Sequence, residues 1–140
     1  VNFYGAVYCA RAVLPIMRRQ KGGHIINVTS KSGKMKSMVV PGMIAYACAK
    51  AALARFTEVL AFELTCSGSP VRVNAVSPGM VAVSFHENLP EDERRAFRQP
   101  EDIKDILLHV LGDDSDSTGE IFSAETMDTW YREIAAEQAE

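Results

Sequence analysis

Two short runs, residues 24–29 and 71–76, constrain the fold of this chain most strongly. Each is a strand-like stretch with apolar side chains at neighbouring positions. A strand with one face in water alternates apolar and polar residues, whereas a parallel strand covered on both faces is apolar at neighbouring positions. Each run therefore predicts a parallel strand buried between layers of helices.

Helical patterns separate and follow these runs. They cover residues 1–20, 45–66, 101–111 and 126–137, with a short helix after Pro90 and a weak third strand over 120–123. Alternation of helices and strands in this manner predicts an α/β fold with a parallel sheet. The helices 1–20 and 45–66 are apolar on more than one face, which is typical of helices buried on more than one face.

Composition bounds the function. The 140 residues suffice for one domain, and 47% apolar and 24% charged residues are ordinary for a globular protein. No apolar run approaches the roughly 20 residues that span a bilayer, so no membrane partner is expected.

The odd number of cysteines, Cys9, Cys48 and Cys66, predicts reduced thiols packed inside helices and a cytoplasmic location. No histidine or cysteine has the spacing of metal ligands, so no metal site is expected.

A basic cluster in the first half of the chain raises the alternative of a phosphate-bearing partner. Its members are Arg18, Arg19, Lys21, Lys31, Lys34 and Lys36. No aromatic interleaving or nucleic-acid motif accompanies them, so a solvated helix end and loop is the favoured interpretation. We therefore expect no nucleic-acid partner.

Tyr46 and Lys50 form a Tyr-x-x-x-Lys pair at the start of the helix 45–66. Residues i and i+4 share a helix face, so the Lys50 ammonium is expected near the Tyr46 hydroxyl. A neighbouring cation lowers a tyrosine pKa from its usual value of about 10, which suits a general acid or base. The plainer alternative is a solvated helix pair with a half-buried tyrosine.

Four motifs occur in one order along the chain. They are Asn2-Phe3 at the start of an apolar helix, Asn27-Val28-Thr29-Ser30-Lys31-Ser32-Gly33, Ala45-Tyr46-Ala47-Cys48-Ala49-Lys50, and Val71-Arg72-Val73-Asn74-Ala75-Val76-Ser77-Pro78-Gly79. The series resembles the short-chain dehydrogenase/reductase family from Val1 to about Glu120. The match is to the C-terminal half of that family's single domain.

The resemblance implies a Rossmann-like, doubly wound parallel sheet, of which this chain holds the C-terminal portion with about three parallel strands and flanking helices. No glycine-rich turn follows a first strand and no acidic residue ends a second one, so nothing cradles a pyrophosphate. We therefore expect residues 1–140 to be the C-terminal catalytic part of one domain whose dinucleotide-binding half is missing, and the fragment alone to be inactive.

The resemblance also implies roles for four side chains. Tyr46 is the general acid in carbonyl reduction and the base in alcohol oxidation, and Lys50 hydrogen-bonds the nicotinamide ribose. Ser30 donates to the substrate oxygen, and the carbonyl of Asn2 holds a water that links the lysine to solvent.

Two of these assignments have alternatives. Ser30 is also a natural strand-end cap, and Ser32 is its nearest rival, although Gly33 fits the family pattern three positions after Ser30. The separation of Ser30 from Tyr46 is a few residues longer than the family's usual one, which predicts an insertion between residues 34 and 41. Asn2 is alternatively an ordinary helix cap.

Cofactor contacts are implied for Tyr46 and Lys50, and also for Pro78, Gly79 and the N–H of Val81. The last three follow the second strand at the edge where ligands bind in open α/β sheets. Val83 stands where the family commonly has threonine, and the neighbouring Ser84 is a possible substitute. Asn74 is expected to be structural, tying adjacent loops together.

The leading hypothesis is an NAD- or NADP-dependent oxidoreductase that interconverts a carbonyl and a secondary alcohol by hydride transfer. The alternative is a catalytically silent module of the same fold, used for binding or oligomerisation. A homo-oligomer through helices 1–20 and 45–66 is expected, because the family's usual dimer uses these helices. Neither the substrate nor the choice between NAD and NADP can be predicted from these residues.

Overall fold

The computed structural model describes residues 1–34, 41–83, 88–95, 97–112 and 117–123. Within them the helices are α1 (Tyr4–Arg19), α2 (Ile44–Cys66), α3 (Glu91–Arg94) and α4 (Pro100–Gly112), and a 3₁₀ helix covers Lys31–Gly33. The strands are β1 (Gly23–Val28), β2 (Val71–Ser77) and β3 (Ile121–Ser123). The predicted terminal helix over 126–137 lies outside the described residues.

The three strands form one parallel sheet in the order β1-β2-β3. β1 runs parallel to β2 with Gly23 opposite Val71 and Val28 opposite Val76. β3 joins the other side of β2, where the Ala75 N–H donates to the Glu120 carbonyl at 2.8 Å. The predicted α/β fold with a parallel sheet is therefore confirmed, and the carboxyl ends of β1 and β2 lie side by side.

Helix α2 covers the sheet with one continuous face. Its buried residues, Leu53, Thr57, Ala61 and Leu64, recur at helical spacing. Ala61 and Leu64 belong to a core cluster with Val71 and Val73, against which Leu14 and Met17 of α1 pack. The apolar residues of β2 thus hold both long helices on the sheet.

The predicted burial of the two strands is confirmed for β2 and wrong for β1. All residues of β2 except Arg72 are buried, whereas in β1 only Asn27 is buried and Val28 is 49% exposed. The difference follows from strand order, since β1 is the edge of the described sheet and β2 is its centre. An apolar strand at an edge lacks the neighbour that would cover it.

Asn74 ties the sheet to the segment that leads into β3, as its expected structural role requires. Its amide nitrogen lies 2.9 Å from both His24 Nε2 and the Ser117 carbonyl, and its amide oxygen accepts from the Glu120 N–H at 2.9 Å. Because Asn74 is fully buried, these contacts satisfy a polar group that would otherwise oppose folding.

The prediction that the cysteines pack inside helices is wrong. Cys9, Cys48 and Cys66 are all exposed free thiols, because the buried face of α2 falls on other positions and α1 fully buries only Ala10. Among the described residues, none of the helices has the length and apolar character that a membrane-spanning helix needs.

The chain divides into two compact units. The first takes its residues from Val1–Ser77 and Ser115–Phe122, and contains the sheet, α1 and α2. The second takes its residues from Pro78–Asp114 and Ser123–Glu140, and contains α3 and α4. In the second unit, Val81 forms a parallel bridge with Arg98.

Candidate active site

The carboxyl end of β1 is fixed by Thr29, the residue that follows the strand. Both the backbone N–H and the hydroxyl of Thr29 donate to the Val76 carbonyl of β2, at 2.8 and 3.1 Å. Thr29 is buried, so this double contact holds the chain to the sheet where it leaves the strand. The position of Ser30, the next residue, is thereby set by the sheet.

Ser30 leaves the strand in an extended conformation and caps the 3₁₀ helix. Its hydroxyl accepts from the Ser32 N–H at 3.3 Å and lies 2.9 Å from the Ser32 hydroxyl. The cap interpretation of Ser30 is therefore confirmed. Capping uses the acceptor capacity of a hydroxyl, and a serine keeps one O–H donor besides.

Gly33 brings the 3₁₀ helix directly against the backbone of α2. A Cβ at this position would stand 2.6 Å from the Ala51 nitrogen and 2.8 Å from the Lys50 carbonyl carbon. Only a residue without a side chain permits this approach. The close contact sets the segment from Ser30 to Gly33 beside the turn of α2 that carries Lys50.

Gly33→Ala is accordingly expected to destabilise the protein by about 1–3 kcal/mol, the usual cost of overpacking a tight contact, and to lower turnover because Ser30 is displaced from α2. Denaturant unfolding measures the first effect. Gly22→Ala is the matched control, since a Cβ at Gly22 would meet no atom within 4 Å. Equal stabilities for the two variants would contradict the close contact at Gly33.

Lys50 reaches from α2 to the end of β1. Its ammonium donates to the Val28 carbonyl at 2.7 Å and lies 5.7 Å from the centroid of the Tyr46 ring. Partial burial lowers the pKa of Lys50 below its ordinary value, because desolvation disfavours the charged form. The positive charge is thus held at the carboxyl edge of the sheet, within cation–π range of Tyr46.

Tyr46 lies in the first turn of α2, which begins at Ile44, and its side chain is 37% exposed. This exposure is compatible with the plainer interpretation of the motif, a solvated helix pair, and it is also what an acid that must meet a substrate requires. The phenol therefore combines access from outside with a fixed cation beside its ring.

Asn2 lies in the turn ahead of α1 and is exposed. Phe3, not Asn2, is the N-cap of α1, and no side chain caps that end. The helix-cap alternative for Asn2 is therefore wrong. The rings of Phe3 and Phe56 meet edge to face at 6.1 Å, which anchors this end of α1 on α2.

The predicted cofactor contacts lie at the start of the second unit. They are Pro78, Gly79 and Val81. Gly79 has φ +79°, a conformation that side chains disfavour, so glycine is required there. On either side of Val81, the Arg98 N–H donates to the Met80 carbonyl at 3.0 Å and the Ala82 N–H donates to the Arg98 carbonyl at 2.8 Å. Ser84, the possible substitute for the missing threonine, lies outside the described residues.

A buried polar pair that the sequence reasoning did not identify joins β1 to α2. The Asn27 amide donates to the Thr57 hydroxyl at 2.9 Å, and that hydroxyl donates to the Leu53 carbonyl at 2.9 Å. Both side chains are buried. The available signal was an asparagine inside an otherwise apolar strand, which demands a hydrogen-bond partner.

The first unit therefore holds the Ser30 hydroxyl at a strand end, the Lys50 ammonium on the Val28 carbonyl two residues earlier, and the Tyr46 phenol one helical turn from that ammonium. Such groups can donate hydrogen bonds to an oxygen that gains negative charge, and can move a proton. In the part of the chain that the structure describes, no cluster of side chains could hold a metal ion.

The sequence profile of the short chain dehydrogenases matches residues 1–94. A 3-oxoacyl-[acyl-carrier-protein] reductase of Synechocystis sp. is 35% identical over 133 residues, which cover 89% of this chain and 52% of that protein. The chain thus spans about half the length of the curated relatives it matches.

Solved structures agree with the sequence comparison. A short chain dehydrogenase of Shigella flexneri complexed with NADP has a TM-score of 0.74 at 27% identity, with 89% of this chain and 51% of that chain covered. A 7α-hydroxysteroid dehydrogenase complexed with NADH and 7-oxo glycochenodeoxycholic acid has a TM-score of 0.76 at 25% identity, with 90% and 52% covered. Together with the fold and the motif residues, these similarities establish that the chain belongs to the short-chain dehydrogenase family, whose Rossmann-like sheet it carries in part.

Proposed function

We propose that residues 1–140 form the catalytic part of an NAD(P)-dependent oxidoreductase that interconverts a carbonyl and a secondary alcohol. The observation that carries the proposal is the meeting of Lys50 with the end of β1. Its ammonium lies 2.7 Å from the Val28 carbonyl, two residues before Ser30, and 5.7 Å from the centroid of the Tyr46 ring. These contacts support the proposal that the Ser30 hydroxyl, the Lys50 ammonium and the Tyr46 phenol act together at this edge of the sheet.

The residues present suit a nicotinamide cofactor. Lys50 offers a fixed ammonium to ribose hydroxyls, and Pro78, Gly79 and the N–H of Val81 are the proposed backbone contacts of the carboxamide. Gly79 has no side chain and a positive φ, which permits close approach of a ligand to the backbone. When bound, the nicotinamide supplies or accepts the hydride.

The side chains divide the remaining work. In the direction of reduction, the Ser30 hydroxyl donates to the carbonyl oxygen, and the Tyr46 hydroxyl gives its proton to that oxygen as negative charge develops. In the direction of oxidation, the oxygen of Tyr46 takes the proton from the alcohol. Lys50 supplies positive charge beside the phenol, and the Asn2 carbonyl holds a water between Lys50 and solvent.

The complete enzyme in this proposal combines these residues with a dinucleotide-binding half, because the matched relatives are about twice as long as this chain. That complete protein is expected to oxidise NADH or NADPH in the presence of a carbonyl. The test panel contains ethyl acetoacetate and a ring ketone, the groups that the names of the relatives suggest. The isolated 140-residue chain serves as the control and is expected to be inactive. Tight dinucleotide binding without turnover of any carbonyl would favour the silent binding module instead.

Lys50→Met is expected to weaken cofactor binding and turnover together, because one ammonium serves both. Loss of a charge-assisted hydrogen bond corresponds to about 10-fold or more in cofactor affinity. Cofactor titration and initial rates measure the two effects, and Lys50→Arg, which retains the charge, is the control. Unchanged cofactor affinity in Lys50→Met would remove Lys50 from the cofactor site.

The pH dependence of stability offers a separate check on Lys50. The fold lowers the pKa of this group, so the unfolded chain binds its proton more tightly and stability rises as the pH increases from the folded to the unfolded pKa. In Lys50→Met this increase of stability with pH is expected to be lost. If the variant still shows the increase, desolvation of Lys50 is not its cause.

We also propose that the complete protein is a homo-oligomer through α1 and α2. Apolar side chains remain exposed on both helices, namely Tyr4, Tyr8, Ile16, Ile44 and Phe62. The rings of Tyr4 and Tyr8 stack with their centroids 6.2 Å apart, so part of this exposed surface is aromatic, as at many association sites.

Light scattering is expected to give a dimer or a larger assembly at micromolar concentration. Phe62→Glu, which places a charge at an exposed apolar position of α2, should shift the assembly toward the monomer. Gln20→Glu, which adds the same charge after the end of α1, should leave it unchanged. A monomeric wild-type protein would contradict the proposed interface.

A further inference from the structure

The hydrogen bonds of Ser30 involve a second side chain to which the family resemblance gives no role. Ser32 contacts the Ser30 hydroxyl twice, through its backbone N–H at 3.3 Å and its own hydroxyl at 2.9 Å. The two residues are neighbours because Ser30 is extended while the 3₁₀ helix turns the chain back at once. Ser32 is 7% exposed, so its hydroxyl lies inside the turn.

A serine hydroxyl accepts two hydrogen bonds and donates one. The Ser32 N–H occupies one acceptor position of Ser30. Either hydroxyl can donate in the second contact. If Ser30 donates to Ser32, its only proton is used within the turn. If Ser32 donates to Ser30, both acceptor positions are filled and the Ser30 proton is committed to an outside acceptor.

The turn that carries the pair is held firmly. Thr29 fixes it to β2 on one side through two contacts with the Val76 carbonyl. Gly33 fixes it to α2 on the other side, where the backbone approach leaves no room for a Cβ. The fold therefore holds the backbone of both serines where their hydroxyls can reach each other.

We propose that Ser32 is a positioning residue for Ser30, whose hydroxyl it orients as a dedicated donor to the substrate oxygen. The proposal rests on the proposed function, in which Ser30 donates to that oxygen. A hydroxyl that accepts from another hydroxyl is also polarised into a stronger donor. Ser32 thus acts on the reaction only through Ser30 and touches neither substrate nor cofactor.

A double-mutant cycle on the complete protein tests this coupling, with the carbonyl of the test panel and the reduced cofactor, NADH or NADPH, that the wild-type protein turns over fastest. Ser32→Ala is expected to lower kcat about 3- to 10-fold, the effect of one hydrogen bond, with little change in KM or in thermal midpoint. In a Ser30→Ala background, Ser32→Ala should change kcat by less than about twofold. Ser67→Ala is the control, since its hydroxyl donates to the Leu64 carbonyl at the end of α2.

The outcomes separate the two proposals. Near-normal turnover of Ser30→Ala would contradict the role of Ser30 itself. A strong effect of Ser30→Ala beside an unaffected Ser32→Ala, or equal losses from Ser32→Ala in both backgrounds, would overturn the role of Ser32 alone. A crystal structure of Ser32→Ala gives a readout that needs no turnover. We expect more than one rotamer for Ser30 in it, and a single unchanged rotamer would also overturn the proposal.

Discussion

Replacing Tyr46 with phenylalanine is expected to lower kcat of the complete protein by about 10²–10⁴-fold, the usual contribution of general acid–base catalysis. The variant loses only the transferable proton. The ring stays available to the Lys50 ammonium, which lies 5.7 Å from its centroid. Cofactor affinity should therefore stay nearly unchanged, and a titration alongside the rate measurement establishes this.

Tyr8→Phe is the matched control for Tyr46→Phe, because it removes a phenol hydroxyl from α1 and keeps the ring that the proposed oligomer interface uses. Its turnover should equal that of the wild type. If Tyr46→Phe also keeps near-normal turnover, Tyr46 is not the acid or base, and the plainer interpretation of a half-buried helix tyrosine stands.

Ser30→Ala has the second largest expected effect, a loss of about 10²–10³-fold in kcat, as for removal of one donor to a developing oxyanion. The hydroxyl also caps the 3₁₀ helix, so a loss of about 0.5–2 kcal/mol in stability is expected beside the kinetic effect. Initial rates at saturating substrate measure the loss. Ser32→Ala should be much milder. If the two phenotypes are reversed, the longer segment before Tyr46 has shifted the register of the site, and Ser32 is the donor.

The fold was predictable because its strands and helices have strong local signals. The runs 24–29 and 71–76 correspond to β1 and β2 within one residue at each end, and the helix 45–66 corresponds to α2. Burial was less predictable, because it depends on neighbours. β1 has the composition of a central strand, yet it is the edge of the described sheet, and Val28 is half exposed.

The candidate site was predictable to the extent that it is local in sequence. The separation of Tyr46 and Lys50 by four residues places them on one helix face, and the ammonium lies near the ring. The Val28 carbonyl as the acceptor for Lys50, and the contact of Gly33 with α2, are not local, because both depend on how β1 and α2 pack. No pattern within either segment specifies that packing.

The pairing of Ser30 with Ser32 lies between these cases. The two residues are two positions apart, but their hydroxyls meet only because an extended residue is followed at once by a 3₁₀ helix. From the sequence they were rivals for one role. In the structure they are hydrogen-bonded partners, which makes their variants informative as a pair.

Transfer of deuterium from a reduced nicotinamide cofactor, labelled at its transferable position, tests the central claim most directly. The complete protein is mixed with labelled NADH or NADPH and the carbonyl panel, and the products are analysed by mass spectrometry. We expect an alcohol with a single deuterium on its carbinol carbon, and at most a trace of it with Tyr46→Phe. A protein that binds the cofactor but forms no labelled alcohol from any carbonyl would contradict the account.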